Sequence, residues 1–163
     1  MIDKTTDEIL MERAIEVARK NPQFPFGTLL VDRFTREVVA EGLNDAKACP
    51  VRHGEIDAIE RWALIHPDAN WSELCLYTTA EPCCMCQGAI LWAGISRVVF
   101  GTSISTLKHM GWKQIDISAA EVIQRTPDAD CQLVGGVLEQ KCDALFRDAK
   151  SKQMQSNHGD RYR

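Results

Sequence analysis

Apolar residues recur at helical spacing near the start of the chain, where Leu10, Ala14, Val17 and Ala18 share one face of a predicted first helix. Thr5, followed three positions later by Glu8, has the capping-box pattern for its opening. "FGTLLVD" and "EVVAEGL" read as two strands joined by "RFTR", a connection of hairpin length. The helical period returns in "HGEIDAIERWALI", with Ile56, Ile59 and Ala63 in phase before "HPDAN" ends it. "ELCLYTTA" reads as a strand. Pro82 stands where a helix can begin, and "CMCQGAILWA" carries that helix to Gly94. "SRVVFG" is another short strand, and Ser118 with Glu121 opens a short helix that "RTPDAD" breaks. "CQLVGGV" supplies a fifth strand, and Leu138, Cys142, Leu145 and Ala149 stripe the last helix.

A helix, two strands and then alternating helices and strands predict an α/β fold. The expected form is a three-layer α/β/α sandwich around a mostly parallel five-stranded sheet. The 163 residues suffice for one domain with a real core, expected over residues 1–155, with 156–163 as a C-terminal tail. Hydrophobic residues make up 45% and charged residues 26%, which excludes a disordered chain. No apolar run approaches the roughly 20 residues of a membrane span, and "MIDKTTDEILMERA" lacks the apolar stretch of a secretory signal. The expected location is the cytoplasm, with no membrane partner.

The net charge of −4 supplies no basic footprint and argues against a nucleic-acid partner. From Arg147 onward, five Lys or Arg stand against two Asp, which reads most simply as a solvated helix end. Seven cysteines, an odd number without a signal peptide, point to reduced thiols. Cys49, Cys75, Cys131 and Cys142 are scattered and read as small buried hydrophobes. Cys83, Cys84 and Cys86 are clustered.

"VRHGEIDAIERW" places His53 and Glu55 at one helix start, and "TTAEPCCMCQGAI" places Cys83 and Cys86 at another. Free N–H groups and the positive end of the dipole make helix starts favourable for thiolates. Two thiolates and a neutral imidazole neutralise Zn²⁺ and leave a fourth tetrahedral position open, as a catalytic site requires. Glu55, on a different helix face from His53, can stand beside the open position and move protons between water, a ring nitrogen and a leaving amine. A CxxC at a helix start is also the arrangement of thioredoxin-type redox proteins and of structural zinc sites. His66, His109 and His158 stand alone and read as surface residues.

"HGE" followed by "PCCMC" resembles the H-x-E…P-C-x-x-C signature of zinc-dependent nucleobase and nucleoside deaminases. The resemblance runs from "PFGTLLVD" to the last helix and implies a cytidine deaminase-like fold and a zinc-dependent hydrolytic enzyme. It implies His53, Cys83 and Cys86 as zinc ligands, Glu55 as proton shuttle and Asn44 of "EGLND" as a hydrogen-bonding partner of the base. Cys84 falls at a position outside the ligand set.

Three groups within the superfamily are similar. "HGEI" and "LYTT" resemble fungal cytosine deaminase, where Gly54 replaces the Ala of most relatives, and the resemblance puts Gly54 among the expected substrate-binding residues. "VVFGT" and "VGGVLEQKCDALF" resemble tRNA wobble-adenosine deaminases. "PFG", "GAILWAG" and the length from Gly101 to Cys131 resemble bacterial guanine deaminases, which implies Phe26 stacking on the base and Trp92 lining the pocket. The other reading of both aromatics is core packing. In "GWKQ", Lys113 and Gln114 stand where the guanine group has an acidic residue, and Lys has no acceptor for an amidine edge. A related aminopurine, aminopyrimidine or pterin-like ring therefore fits beside guanine. The guanine deaminase resemblance also implies a homodimer, domain-swapped, whose tail "SNHGDRYR" closes the partner's site with Tyr162; the other reading is a disordered end.

Overall fold

The computed structural model describes the backbone of residues 4–159 and the side chains of residues 6–156. The elements are α1 (Lys4–Ala18), β1 (Gly27–Asp32), β2 (Val38–Leu43), α2 (Gly54–Ile65), β3 (Leu74–Ala80), α3 (Cys84–Ala93), β4 (Arg97–Thr102), α4 (Ile104–His109), α5 (Ala119–Gln124), β5 (Gln132–Val134) and α6 (Glu139–Gly159). The five strands form one sheet in the order β2-β1-β3-β4-β5. β3 pairs in parallel with β4, and β4 with β5, while β1 pairs antiparallel with both β2 and β3. The sheet is thus mixed: four strands point one way and β1 alone is reversed.

That reversal follows from the β1–β2 connection, which is too short for a parallel crossover. Asp32 closes it by accepting the N–H groups of Phe34 and Thr35, both at 2.8 Å. Those donors, Thr35 first, hold its carboxyl below the usual carboxylate range. β3 is buried along its whole length, as a central strand covered on both faces must be.

Alternation along the strands divides the core between two helix layers. Leu29, Val31, Cys75, Tyr77 and Val99 face α1 and α6, where they meet Met11, Ile15 and Cys142. Leu30, Leu76 and Val98 face the other way, against Ala58 of α2 and Ile90 of α3. The expected stripe of α1 is buried throughout. The expected stripe of α2 is not the observed one: Ala63 is exposed, and the sheet side carries Glu55, Ala58, Ile59 and Trp62. A carboxylate on the buried face disguises that stripe in the sequence.

Ser118 caps α5 by accepting the Glu121 N–H, as the capping box predicts. Thr5 lies inside α1 instead of capping it. α4, capped by Ser103, is an element that the hydrophobic pattern did not reveal. Of the four scattered cysteines, Cys75 and Cys142 are buried, while Cys49 and Cys131 are only partly so. α6 continues through Gly159, past the expected boundary at 155/156, and Tyr162 lies outside the described residues. Among the described residues, no helix is long and apolar enough to cross a membrane.

Candidate metal centre and pocket

His53 is the N-cap of α2 and Cys83 the N-cap of α3; both have extended backbone, and neither side chain is used in capping. Cys86 follows in the first turn of α3 and is fully buried. The imidazole Nδ1 lies 3.6 Å from the Cys83 Sγ and 3.5 Å from the Cys86 Sγ. A tetrahedral ion with Zn–S bonds of about 2.3 Å and a Zn–N bond of about 2.0–2.1 Å holds its N and S ligands about 3.5 Å apart. The three donors therefore already stand at the spacing that one zinc ion needs, and they are the group within the described residues that can hold one.

Without the ion the same closeness couples the protons. The hydrogen bond from Cys86, then that with His53, draws the Cys83 thiol down to about 4 against the effect of burial. The Cys86 thiol moves strongly upward, first through its bond to Cys83 and then through burial. Its bond with Cys83 likewise raises His53. Glu55, 4% exposed, is pushed upward chiefly by burial. The Thr78 hydroxyl donates to its Oε1 at 3.3 Å and in turn accepts from Thr28 at 3.3 Å. Strand alternation supplies this: Thr28 and Thr78 share the parity of Leu30 and Leu76 and so face α2.

Glycine sets how closely α2 approaches the sheet. A Cβ on Gly42 would stand 2.0 Å from the Gly54 carbonyl oxygen, and one on Gly54 would stand 2.8 Å from Phe26 O. Gly54 is therefore a packing position beneath the helix start and does not border the cavity.

His53, Cys83 and Glu55 open into a cavity of about 490 Å³, also bordered by Phe26, Asn44 and Trp112. Asn44 is buried, with its Oδ1 accepting the Ala46 N–H at 3.2 Å. Phe26 both borders the cavity and packs edge-on against Trp112, with centroids 5.5 Å apart, so its core and pocket readings hold together. Trp112 is fixed by its Nε1, which donates to Phe146 O at 3.2 Å. Trp92 is not brought to the cavity; it is 93% exposed on α3.

Other residues of the cavity escaped sequence reasoning. Glu81 borders it, and its two oxygens accept the first N–H groups of α4 and α5, from Ile104 at 2.8 Å and Ala119 at 2.9 Å. Its place before Pro82 in "AEPCC" was the available signal. Phe24, Lys150 and Gln153 also border the cavity, and no spacing rule links α6 to a motif sixty residues earlier.

Residues 4–102 match the family model of the cytidine and deoxycytidylate deaminase zinc-binding region, and the chain belongs to that family. The matched region is a zinc-binding one, and His53, Cys83 and Cys86 can form its site. A probable cytosine deaminase of Schizosaccharomyces pombe is 37% identical over 105 residues, covering 62% of this chain and 63% of that protein. A tRNA-specific adenosine deaminase of Haemophilus influenzae is 39% identical over 102 residues, covering 60% and 58%. The chain thus spans under two thirds of the length of either relative. The solved guanine deaminase of Nitrosomonas europaea shares the fold at TM-score 0.77 and 22% identity, covering 88% of this chain and 84% of that one. A solved tRNA:A34 deaminase aligns at TM-score 0.69 and 25% identity, covering 83% and 96%.

Proposed function

We propose that the chain hydrolyses the amino group of a small nucleobase-like ring, a purine, pyrimidine or pterin, to the oxo product and ammonia. The observation that carries this reading is Glu55, buried and held by Thr78 beside three donors at zinc spacing, at the floor of a cavity that Phe26 and Asn44 border.

His53, Cys83 and Cys86 would hold a zinc ion, which would supply the Lewis acidity that makes water a nucleophile near neutral pH. Glu55 takes one proton from the attacking water and passes it to the ring nitrogen. It then takes the second proton from the hydroxyl now on the ring carbon and passes it to the amine, which leaves as ammonia as the carbonyl forms. Burial raises its proton affinity, which suits a group that must both accept and give one proton. Thr78 keeps Oε1 oriented while the proton moves. Asn44 has its carbonyl engaged by Ala46, so its amide NH₂ is left to donate to an acceptor on the ring. Phe26 offers the ring a face held in place by Trp112 and Phe146.

A guanine-like ring is supported by the shared fold, cytosine by the fission-yeast relative, and wobble adenosine in tRNA by the bacterial relative. The acidic body favours a free base over RNA: residues 1–146 hold 14 Lys or Arg against 21 Asp or Glu. A homodimer is supported by Trp92, whose exposed indole a second copy would cover, and Tyr162 is retained as a cap on the partner's site. Cytoplasmic location is supported by seven unpaired cysteines. A screen for ammonia release against purines, pyrimidines, pterins and a tRNA anticodon stem tests the reading. Turnover of the stem with none of any free ring would overturn the free-ring substrate.

A further inference from the structure

Two cations border the cavity on which the deamination chemistry makes no demand. Lys113 follows the left-handed Gly111 in the loop after α4, and Lys150 comes from α6. Lys113 is exposed and Lys150 half-buried, whereas Glu55 is buried, so both ammonium groups belong to the outer part of the cavity. The Lys150 Nζ stands 5.3 Å from the Trp112 ring centroid, and a Cβ on Gly111 would lie 3.5 Å from its Cε. The side chain is therefore seated along the pocket edge. Among the described residues, neither lysine has a carboxylate at ion-pair distance. The two acids bordering the same cavity are otherwise committed, Glu55 at the buried floor and Glu81 to two backbone N–H groups.

In a chain of net charge −4, this is a local positive field at a pocket opening. An ammonium group carries a full charge, so an anionic group gains far more from two of them than a neutral ring acceptor does. The cavity holds the equivalent of about sixteen waters at about 30 Å³ each, more than a bare ring fills. Resting on the reading of the site as a ring deaminase, we propose that the substrate carries an anionic substituent, a carboxylate or a phosphate, that Lys113 and Lys150 hold. The amino-bearing carbon then lies toward His53 and Glu55. An RNA backbone bears the same charge, but the excess of acid over base in the body of the chain favours a small anion.

The test is ammonia release by the zinc-loaded enzyme from matched pairs: pterin beside its carboxylate, and each nucleoside beside its monophosphate, with a tRNA anticodon stem included. The expected result is at least one pair whose anionic member has a kcat/KM tenfold or more above its neutral partner. That preference shrinks as salt is raised. Lys113→Gln and Lys150→Gln each lower it about fivefold, through KM, as one unit-charge contact in a well-solvated opening is worth about that. Lys113→Arg restores it. Neutral members equal to or better than their anionic partners, with a ratio that neither substitution moves, overturn the anionic substituent and leave the ring deaminase standing. Ammonia from no ring, with zinc bound, sinks the deaminase reading itself. Turnover of the stem alone assigns the lysines to a polymer and also overturns the proposal.

Discussion

The Glu81 carboxylate accepts the N–H of Ala119, 38 residues downstream, at 2.9 Å. Its other oxygen accepts the N–H of Ile104 at 2.8 Å. One side chain at the end of β3 thus terminates two short helices, and the pocket loop bearing Trp112 and Lys113 runs between them. Glu81→Ala leaves two donors without their acceptor, at a cost of about 2 kcal/mol or more. Urea denaturation of the two proteins checks this. Glu81→Gln keeps one acceptor oxygen and is expected to fall between them. A wild-type midpoint for Glu81→Ala would show that the two helix starts do not depend on it.

Glu55→Gln is isosteric and leaves the three zinc donors untouched. Zinc content and far-ultraviolet circular dichroism should be those of the parent. Turnover should fall about 100- to 10,000-fold, the usual range for a lost acid–base group. A near-normal rate would remove Glu55 from its proposed role.

Zinc affinity should rise with pH, because metal binding must expel protons from its ligands. In the metal-free chain Cys86 holds its proton well above neutrality, and His53 is raised above its ordinary value. Cys83, near 4, is already a thiolate at neutral pH. One proton leaves above the His53 titration and two below it. Affinity is therefore expected to change about tenfold per pH unit on the alkaline side and up to about a hundredfold on the acid side. Competition with a chelator of known pH dependence, from pH 6 to 8, measures the slope. His53→Ala should weaken binding and flatten the acid limb, and a flat profile in the parent would contradict the ligand set.

Far from the pocket, Arg97 donates to both Asp7 oxygens at 3.0 and 2.8 Å, and Tyr77 donates to Asp7 at 2.8 Å. Burial first, then the bond to Asp7, pushes the Tyr77 hydroxyl upward, so it remains a donor throughout the ordinary pH range. Arg97→Met strands a buried carboxylate, with an expected loss of about 3–5 kcal/mol. Replacing Asp7 and Arg97 together by apolar residues should recover most of it. Thermal or chemical denaturation of the single and double variants gives the coupling directly.

The three donors that can hold a metal were legible because their chemistry is local. His53 and Glu55 open one helix, Cys83 and Cys86 open another, and spacing within a turn fixes relative direction. Strand alternation and the stripes of α1 and α6 were legible for the same reason, since a period of 2 or 3.6 is written in consecutive residues. The reversal of β1 was implicit in a connection as short as "RFTR". Phe26 and Asn44 were reached through the family resemblance, but most of the pocket border was not legible, because a side chain's neighbours across the fold depend on how whole elements dock. Trp92 sits within a helix that the pattern identifies, yet only the packing of α3 on the sheet decides that its indole points outward. Trp112, Glu81 and Lys150 border one cavity although they come from a loop, a strand end and the last helix. Nothing in their sequence separations records that meeting. Sequence determined which side chains can donate to a metal and which carboxylate accompanies them, since bond geometry governs those over a few ångströms. Tertiary structure decided what surrounds them, because burial and long-range contacts arise only when the layers close.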